Sequence, residues 1–137
     1  MANEALVNAV KQIMALAKSG DLDGSNARYA ELFTSAEFAT YRPEDQRQAL
    51  KILILAKKSG PPSASLIETH RAAIAPLINL VNATGEPVDF EMLGICQVLT
   101  GDEVSAATNF RSGLDIERAK DPESDLCGRL MKHVSSI

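Results

Sequence analysis

The acidic turn Asp21-Leu22-Asp23-Gly24 is the first segment of this 137-residue sequence whose residue types suit a chemical role. Two aspartates at alternate positions before a glycine form part of a calcium-binding loop of the EF-hand type. A complete loop also needs further oxygen ligands and a bidentate glutamate at its end, and these are missing. We therefore interpret the two acids as residues of a turn that caps the following helix.

Two histidines and two cysteines are the remaining candidates for metal binding or catalysis. His70 and His133 are distant in the sequence, and neither has a second ligand at the spacing of a helical metal site. Cys96 lies among apolar helical residues, where a thiol stays protonated and unreactive. We predict no metal site, no cofactor and no catalytic residue, and we interpret Cys96 and Cys127 as free thiols of a cytoplasmic protein.

The composition indicates one all-helical domain. Apolar residues make up 45% of the chain and charged residues 23%, which is typical of a globular protein. Aromatic residues make up only 4%, and tryptophan is absent. A core of Ala, Leu, Ile and Met suits packed helices better than strands. We expect residues 1–137 to form a single all-α domain.

The charge and hydropathy patterns disfavour two classes of partner. The formal net charge is −4 and the basic residues are scattered, whereas a protein that binds nucleic acid usually has a basic face. No apolar run approaches the roughly 20 residues that span a bilayer, and the first residues lack the pattern of a secretory signal. We expect a cytoplasmic protein that binds neither nucleic acid nor membrane.

Apolar periodicity and capping residues predict seven helices. Their expected ranges are 3–18, 24–33, 44–58, 65–82, 88–99, 102–118 and 121–137. The capping-box pattern Thr34-Ser35-Ala36-Glu37 predicts a short additional piece after the second helix. Pro76 should kink or split the fourth helix, because proline removes a backbone donor. The third helix is apolar almost all round, so we expect it at the centre of the molecule.

Three similar loops divide the helices into pairs. Gly20, Gly60 and Gly101 follow the first, third and fifth helices, and they are separated by 40 and 41 residues. A helix on each side of such a regularly spaced turn is typical of an array of helical hairpins. We predict three antiparallel helical hairpins, followed by a last helix that caps the stack.

Residues 87–118 carry a more specific pattern at the spacing of a known repeat. Its members are Phe90, Leu93, Gly94, Gly101, Ala106, Phe110 and Gly113. With these residues the segment resembles a tetratricopeptide repeat, which implies a right-handed superhelix of hairpins that approach closely at the small residues. Phe90 replaces the usual tryptophan, Gln97 stands where an aromatic residue is common, and the period exceeds the 34 residues of the family. A HEAT-like array is the alternative.

The resemblance also implies where a partner binds. In this family, the first helices of successive hairpins line a concave surface that holds a peptide or a helix of another protein. Carried onto the second and third hairpins, the resemblance implies ten partner-binding residues: Arg47, Leu50, Ile54, Lys57, Lys58, Val88, Glu91, Ile95, Val98 and Leu99. For each apolar position the alternative is packing against the neighbouring hairpin.

The expected function is therefore that of a protein-interaction module, either an adaptor or a small chaperone, and not that of an enzyme. One alternative is a structural subunit that forms a homodimer through residues 126–137 of the last helix. The other is an enzyme on an unrecognised helical fold, which would need a pocket that gathers His70 or Cys127 with several carboxylates.

Overall fold

The computed structural model describes residues 3–137, which form seven α-helices, one short 3-10 helix and no strand. The helices are α1 Glu4–Lys18, α2 Leu22–Thr34, α3 Pro43–Ile54, α4 Ala64–Ala83, α5 Pro87–Leu99, α6 Glu103–Lys120 and α7 Asp125–Ser135, and the 3-10 helix is Phe38–Thr40. The prediction of an all-helical fold is confirmed. No helix within residues 3–137 is both long and apolar enough to cross a membrane.

Side-chain caps define where several helices begin. The Asp21 carboxylate accepts a hydrogen bond of 2.9 Å from the Gly24 amide, so the acidic turn caps α2 as expected. The short piece predicted after α2 is the 3-10 helix, where the Ser35 hydroxyl accepts a hydrogen bond from the Phe38 amide. Phe38 itself is buried and packs edge-on against Phe33.

The third helix ends four residues earlier than predicted. α3 stops at Ile54, and the Lys58 ammonium turns back to donate to the carbonyls of Leu53 at 2.6 Å and Ile54 at 3.4 Å. The last carbonyls of a helix have no partner within it, so this side chain satisfies groups that a longer helix would have paired. Lys58 is therefore a helix cap and not a residue of the helix.

The fourth and seventh helices also differ from the prediction. α4 runs unbroken through Pro76 from Ala64 to Ala83, so the predicted split does not occur. α7 begins at Asp125 instead of Asp121, because the Ser124 hydroxyl accepts the capping hydrogen bond from the Cys127 amide at 3.0 Å. Asp121 and Pro122 belong to the turn that separates α6 from α7.

Close helix contacts form at the glycines of the best-matched segment. A Cβ placed on Gly94 would lie 2.5 Å from the Phe110 ring, and one on Gly113 would lie 3.0 Å from the Phe90 Cβ. A side chain at Gly94 would collide with the Phe110 ring, and one at Gly113 would force its neighbours to shift by a few tenths of an ångström, so glycine allows α5 and α6 to approach closely at both positions.

Polar contacts show the directions of the packed helices. Near the starts of α2 and α4, Ser65 donates to the Asp23 carboxylate at 2.6 Å, and Thr69 donates to the Asn26 carbonyl at 2.7 Å, so these two helices are parallel. Near the starts of α3 and α5, Arg47 pairs with Asp89 at 2.7 Å, and near their ends Lys58, which follows α3, interacts with Cys96 in the last turn of α5, so these helices are parallel too.

The core is centred on α4 and α5 and not on α3. α5 packs against α3, α4 and α6, and its residues Met92, Leu93 and Cys96 are at most 3% exposed. In α3, Ile52 is only half-buried, because one side of this helix faces solvent. The prediction that the third helix is central is therefore wrong.

Candidate functional site

Arg47, the first of the predicted partner-binding residues, is already engaged within the chain. Its guanidinium binds both carboxylate oxygens of Asp89, at 2.7 and 2.9 Å, and also donates to the Thr84 hydroxyl at 2.8 Å. The Asp89 side chain is 0% exposed and that of Arg47 is 14% exposed. Hydrogen bonding to Asp89 raises the pKa of Arg47. This bidentate pair joins α3 to α5.

Three of the ten predicted residues are buried. Leu50 and Glu91 are 0% exposed and Ile54 is 4% exposed. The two apolar side chains belong to the main hydrophobic cluster, as the packing alternative expected. A partner cannot contact these residues in this conformation, so we leave them out of the candidate site.

Glu91 instead forms an ion pair in which its own carboxylate is buried and Arg129 is partly exposed. Its carboxylate accepts bidentate hydrogen bonds from Arg129 at 2.9 and 3.0 Å and lies 3.3 Å from Nε2 of His133. Burial raises the pKa of Glu91, but the hydrogen bonds from His133 and Arg129 outweigh burial and hold it below its ordinary value. The His133 ring also stacks on Phe110, with 4.4 Å between ring centroids. These contacts tie α7 to α5 and α6.

The other six predicted residues are divided between loop and surface. Lys58 caps α3, and Lys57 is exposed in the loop that follows. The remaining four lie on α5: Val98 is 42% exposed, whereas Val88, Ile95 and Leu99 are half-buried. The structure thus does not assemble the ten residues into one open surface.

An open groove lies instead between α1 and α3, and we call it the α1–α3 groove. It encloses about 260 Å³. Its apolar lining consists of Leu6, Val7, Val10 and Met14 from α1 and Ala49 and Ile52 from α3. Val7 and Met14 are 37% and 41% exposed, while Leu6, Val10 and Ala49 form a buried floor. Lys11 and Asp45 stand at its rim.

The sequence reasoning placed no partner-binding residue in this groove, although the signal was present. Val7 and Met14 widen the apolar stripe of the first helix beyond the width that packing against α2 requires. The family pattern predicts binding residues only in the second and third hairpins, because the first hairpin matches this pattern poorly. An apolar stripe that is too wide for its neighbours was the feature that pointed to α1.

The candidate catalytic residues lie away from this groove. His70 is 0% exposed, its Nδ1 lies 2.8 Å from the Leu66 carbonyl, and its Nε2 has no hydrogen-bond partner within the described chain. Burial lowers the pKa of His70 and raises the pKa of Cys96 to about 12. Within residues 3–137, no three His, Cys, Asp or Glu side chains are grouped as metal ligands.

The last helix uses most of its apolar stripe within the chain. Cys127 and Leu130 are buried, and Leu126 and Val134 pack against the same cluster as Phe110. Met131 and Ile137 remain 49% and 45% exposed. The surface through which the alternative homodimer would form is therefore largely covered by α6.

The sequence and the structure were also compared with known proteins. Protein-family models, curated proteins and solved structures were compared with the chain, and none of them matched it.

Proposed function

We propose that this chain is a protein-interaction module that holds an amphipathic helix of another protein in the α1–α3 groove. In this proposal, α1 to α6 form three hairpins of a tetratricopeptide-like array and α7 caps the last one. The parallel pairs α2–α4 and α3–α5 support the array, as does the close approach of α5 and α6 at Gly94.

The observation that carries the proposal is the contrast among the odd-numbered helices α1, α3, α5 and α7. α3 is tied to α5 by the Arg47–Asp89 pair, and α5 is tied to α7 by the pair of Arg129 with Glu91. Between residues 4–18 and 43–54, by contrast, there is neither a hydrogen bond nor an ion pair, and the two helices touch at few points. The space that the other pairs close remains open between α1 and α3.

The lining of this groove fits one face of a short helix. Val7 and Met14 are seven residues apart, which is about 10.5 Å along α1 at a rise of 1.5 Å per residue. A partner helix with apolar residues at positions i, i+3 or i+4, and i+7 presents anchors over the same length. Covering each of the two exposed side chains contributes on the order of 1 kcal/mol. We therefore expect modest affinity, which suits a reversible adaptor or chaperone.

The revised site keeps one of the ten predicted residues. Lys57 is exposed just beyond the end of α3 and can meet an acidic group of a bound helix. Arg47 and Lys58 act inside the chain, and Leu50, Ile54 and Glu91 are covered. The four residues on α5 lie outside the groove.

A displayed library of random peptides of about 16 residues tests the proposal, because no partner needs to be known in advance. We expect selection on the wild-type chain to enrich amphipathic sequences, and their binding to weaken more than tenfold in Met14→Glu. Val104→Glu is the matched control, since Val104 is an 82% exposed apolar residue of α6 away from the groove. Peptides that bind wild type and Met14→Glu equally, or no enrichment at all, would overturn the proposal.

A further inference from the structure

The direction in which a partner helix lies in the α1–α3 groove can be derived from the directions of the groove's own walls. α2 and α4 are parallel, and so are α3 and α5. α1 reverses into α2 through a three-residue turn, and α4 reverses into α5 through another short turn. It follows that α1 and α3 run in the same direction, so the groove has one end formed by two helix N-termini and another formed by two C-termini.

Opposite charges collect at these two ends. The first turns of α1 and α3 carry Glu4, Glu44 and Asp45. Their last turns carry Lys18 and Lys51. Helical spacing places Lys18 and Glu4 beside the lining residues Met14 and Val7 of α1, and it places Glu44 and Lys51 beside the lining residue Gln48 of α3.

Arg42 neutralises part of the acidic charge, whereas the lysines at the other end form no ion pair within the described residues. At the acidic end, Arg42 pairs with Asp45 at 3.2 Å and with Glu44 at 3.8 Å, which offsets one of the three negative charges. At the other end, Lys18 and Lys51 form no ion pair within residues 3–137, and Lys57 lies beyond them in the loop. The groove therefore has one end with acidic residues and another with lysines, and Asp21 follows Lys18 by three positions at the second end.

We propose that the helix held in this groove lies antiparallel to α1 and α3, with acidic residues in its first turn and basic residues in its last. This inference rests on the proposed function of the groove. A helix is most stable when acids occupy its first turn and bases its last, so such a partner needs no unfavourable charge arrangement of its own. Its acidic start then meets Lys18 and Lys51, and its basic end meets Glu4 and Glu44. Charges at a rim of this kind set orientation more than affinity.

Two synthetic peptides of about 16 residues with identical composition and identical apolar positions test the charge pattern. One has Glu in its first turn and Lys in its last, and the other has the reverse. Their affinities are measured on the wild-type chain and on Lys18→Glu/Lys51→Glu at low salt. The preference of wild type for the first peptide should fall at least fivefold in the variant. The ratio between the two chains cancels the intrinsic helicity of each peptide.

The orientation is read separately from a nitroxide label on either end of the first peptide. A label at its N-terminus should broaden amide signals of the wild-type chain near Lys18 and Lys51, and a label at its C-terminus those near Glu4 and Glu44. Equal peptide preferences in wild type and Lys18→Glu/Lys51→Glu, or broadening at the opposite ends of the groove, would overturn this inference. The proposed function would still stand in that case if peptide binding depends on Met14. Failure of both peptides to bind would overturn both.

A second copy of the chain is the competing occupant. If wild type is a dimer that Met14→Glu converts to a monomer, the groove serves self-association, and the proposed partner helix is ruled out. A wild-type chain that sediments as a monomer in the absence of peptide is the expected result.

Discussion

Because Arg47 pairs with the buried Asp89 and does not face a partner, its replacement should destabilise the fold by an amount that can be calculated. Replacing Arg47 with methionine keeps its length but leaves the Asp89 carboxylate, which is 0% exposed, with only the Thr84 hydroxyl at 3.2 Å. Removing one member of a buried ion pair typically costs about 3–5 kcal/mol. Because Thr84 remains as a donor, we expect a loss of about 3 kcal/mol in the free energy of unfolding, or a drop of roughly 10 °C in Tm for a chain of this length.

Urea denaturation of three chains at neutral pH measures this effect: wild type, Arg47→Met, and Arg47→Met/Asp89→Leu. Removing both partners eliminates the buried unpaired charge, so the double variant should recover much of the stability that the single variant loses. A loss below about 1 kcal/mol in Arg47→Met would mean that the pair does not join α3 to α5 in solution. A double variant that is less stable than the single one would refute the reasoning about the uncompensated carboxylate.

Three further predictions concern packing, pH and thiol chemistry. Gly94→Ala should destabilise the chain by about 1–3 kcal/mol, because the added Cβ would collide with the Phe110 ring. Gly128→Ala has nothing within 4 Å of its added Cβ, so it should stabilise the chain by up to about 1 kcal/mol. Urea denaturation measures both changes in the free energy of unfolding, and equal effects of the two substitutions would contradict this prediction. The pKa of His70 is lowered in the folded chain, so the free energy of unfolding should decrease as the pH falls below about 6.5, where the unfolded chain takes up this proton first. The pKa of Glu91 is also lowered in the folded chain, so the free energy of unfolding should decrease again below about pH 4.5. Denaturation curves between about pH 7.5 and 4 check this, and His70→Leu should flatten the upper part. Burial raises the pKa of Cys96 to about 12, so iodoacetamide should modify it only as fast as the chain unfolds; rapid labelling of the native chain, followed by mass spectrometry, would be inconsistent with this burial.

Much of the fold follows from local sequence features because they act over a few residues. The turn residues Gly20 and Gly101 adopt positive φ angles of 94° and 91°, as the end of a helix before a tight turn requires. The wrong helix ends occurred where a polar side chain next to the helix binds groups that the apolar pattern does not reveal. α3 ends at Ile54 because Lys58 folds back onto its carbonyls, and α7 starts late because Ser124 also donates to Glu117 at 2.7 Å.

The candidate site was harder to predict for a physical reason. A charged residue such as Arg47 or Glu91 reads as exposed in a sequence, and only the fold reveals the opposite charge 42 or 38 residues away. The open groove likewise exists because few contacts form between α1 and α3, and a residue pattern does not show which helix contacts fail to form. The exposed Val7 and Met14 carried the only local signal, as excess width in an apolar stripe.

The most direct test of the α1–α3 groove as a partner-binding site is amide chemical-shift mapping by NMR of the wild-type chain with a peptide selected from the displayed library. We predict that the amides that shift most cluster within residues 3–18 and 43–55, with Val7, Met14 and Ile52 among them. Shifts concentrated on α5 and α7, with α1 unaffected, would contradict the assignment of this groove as the binding site.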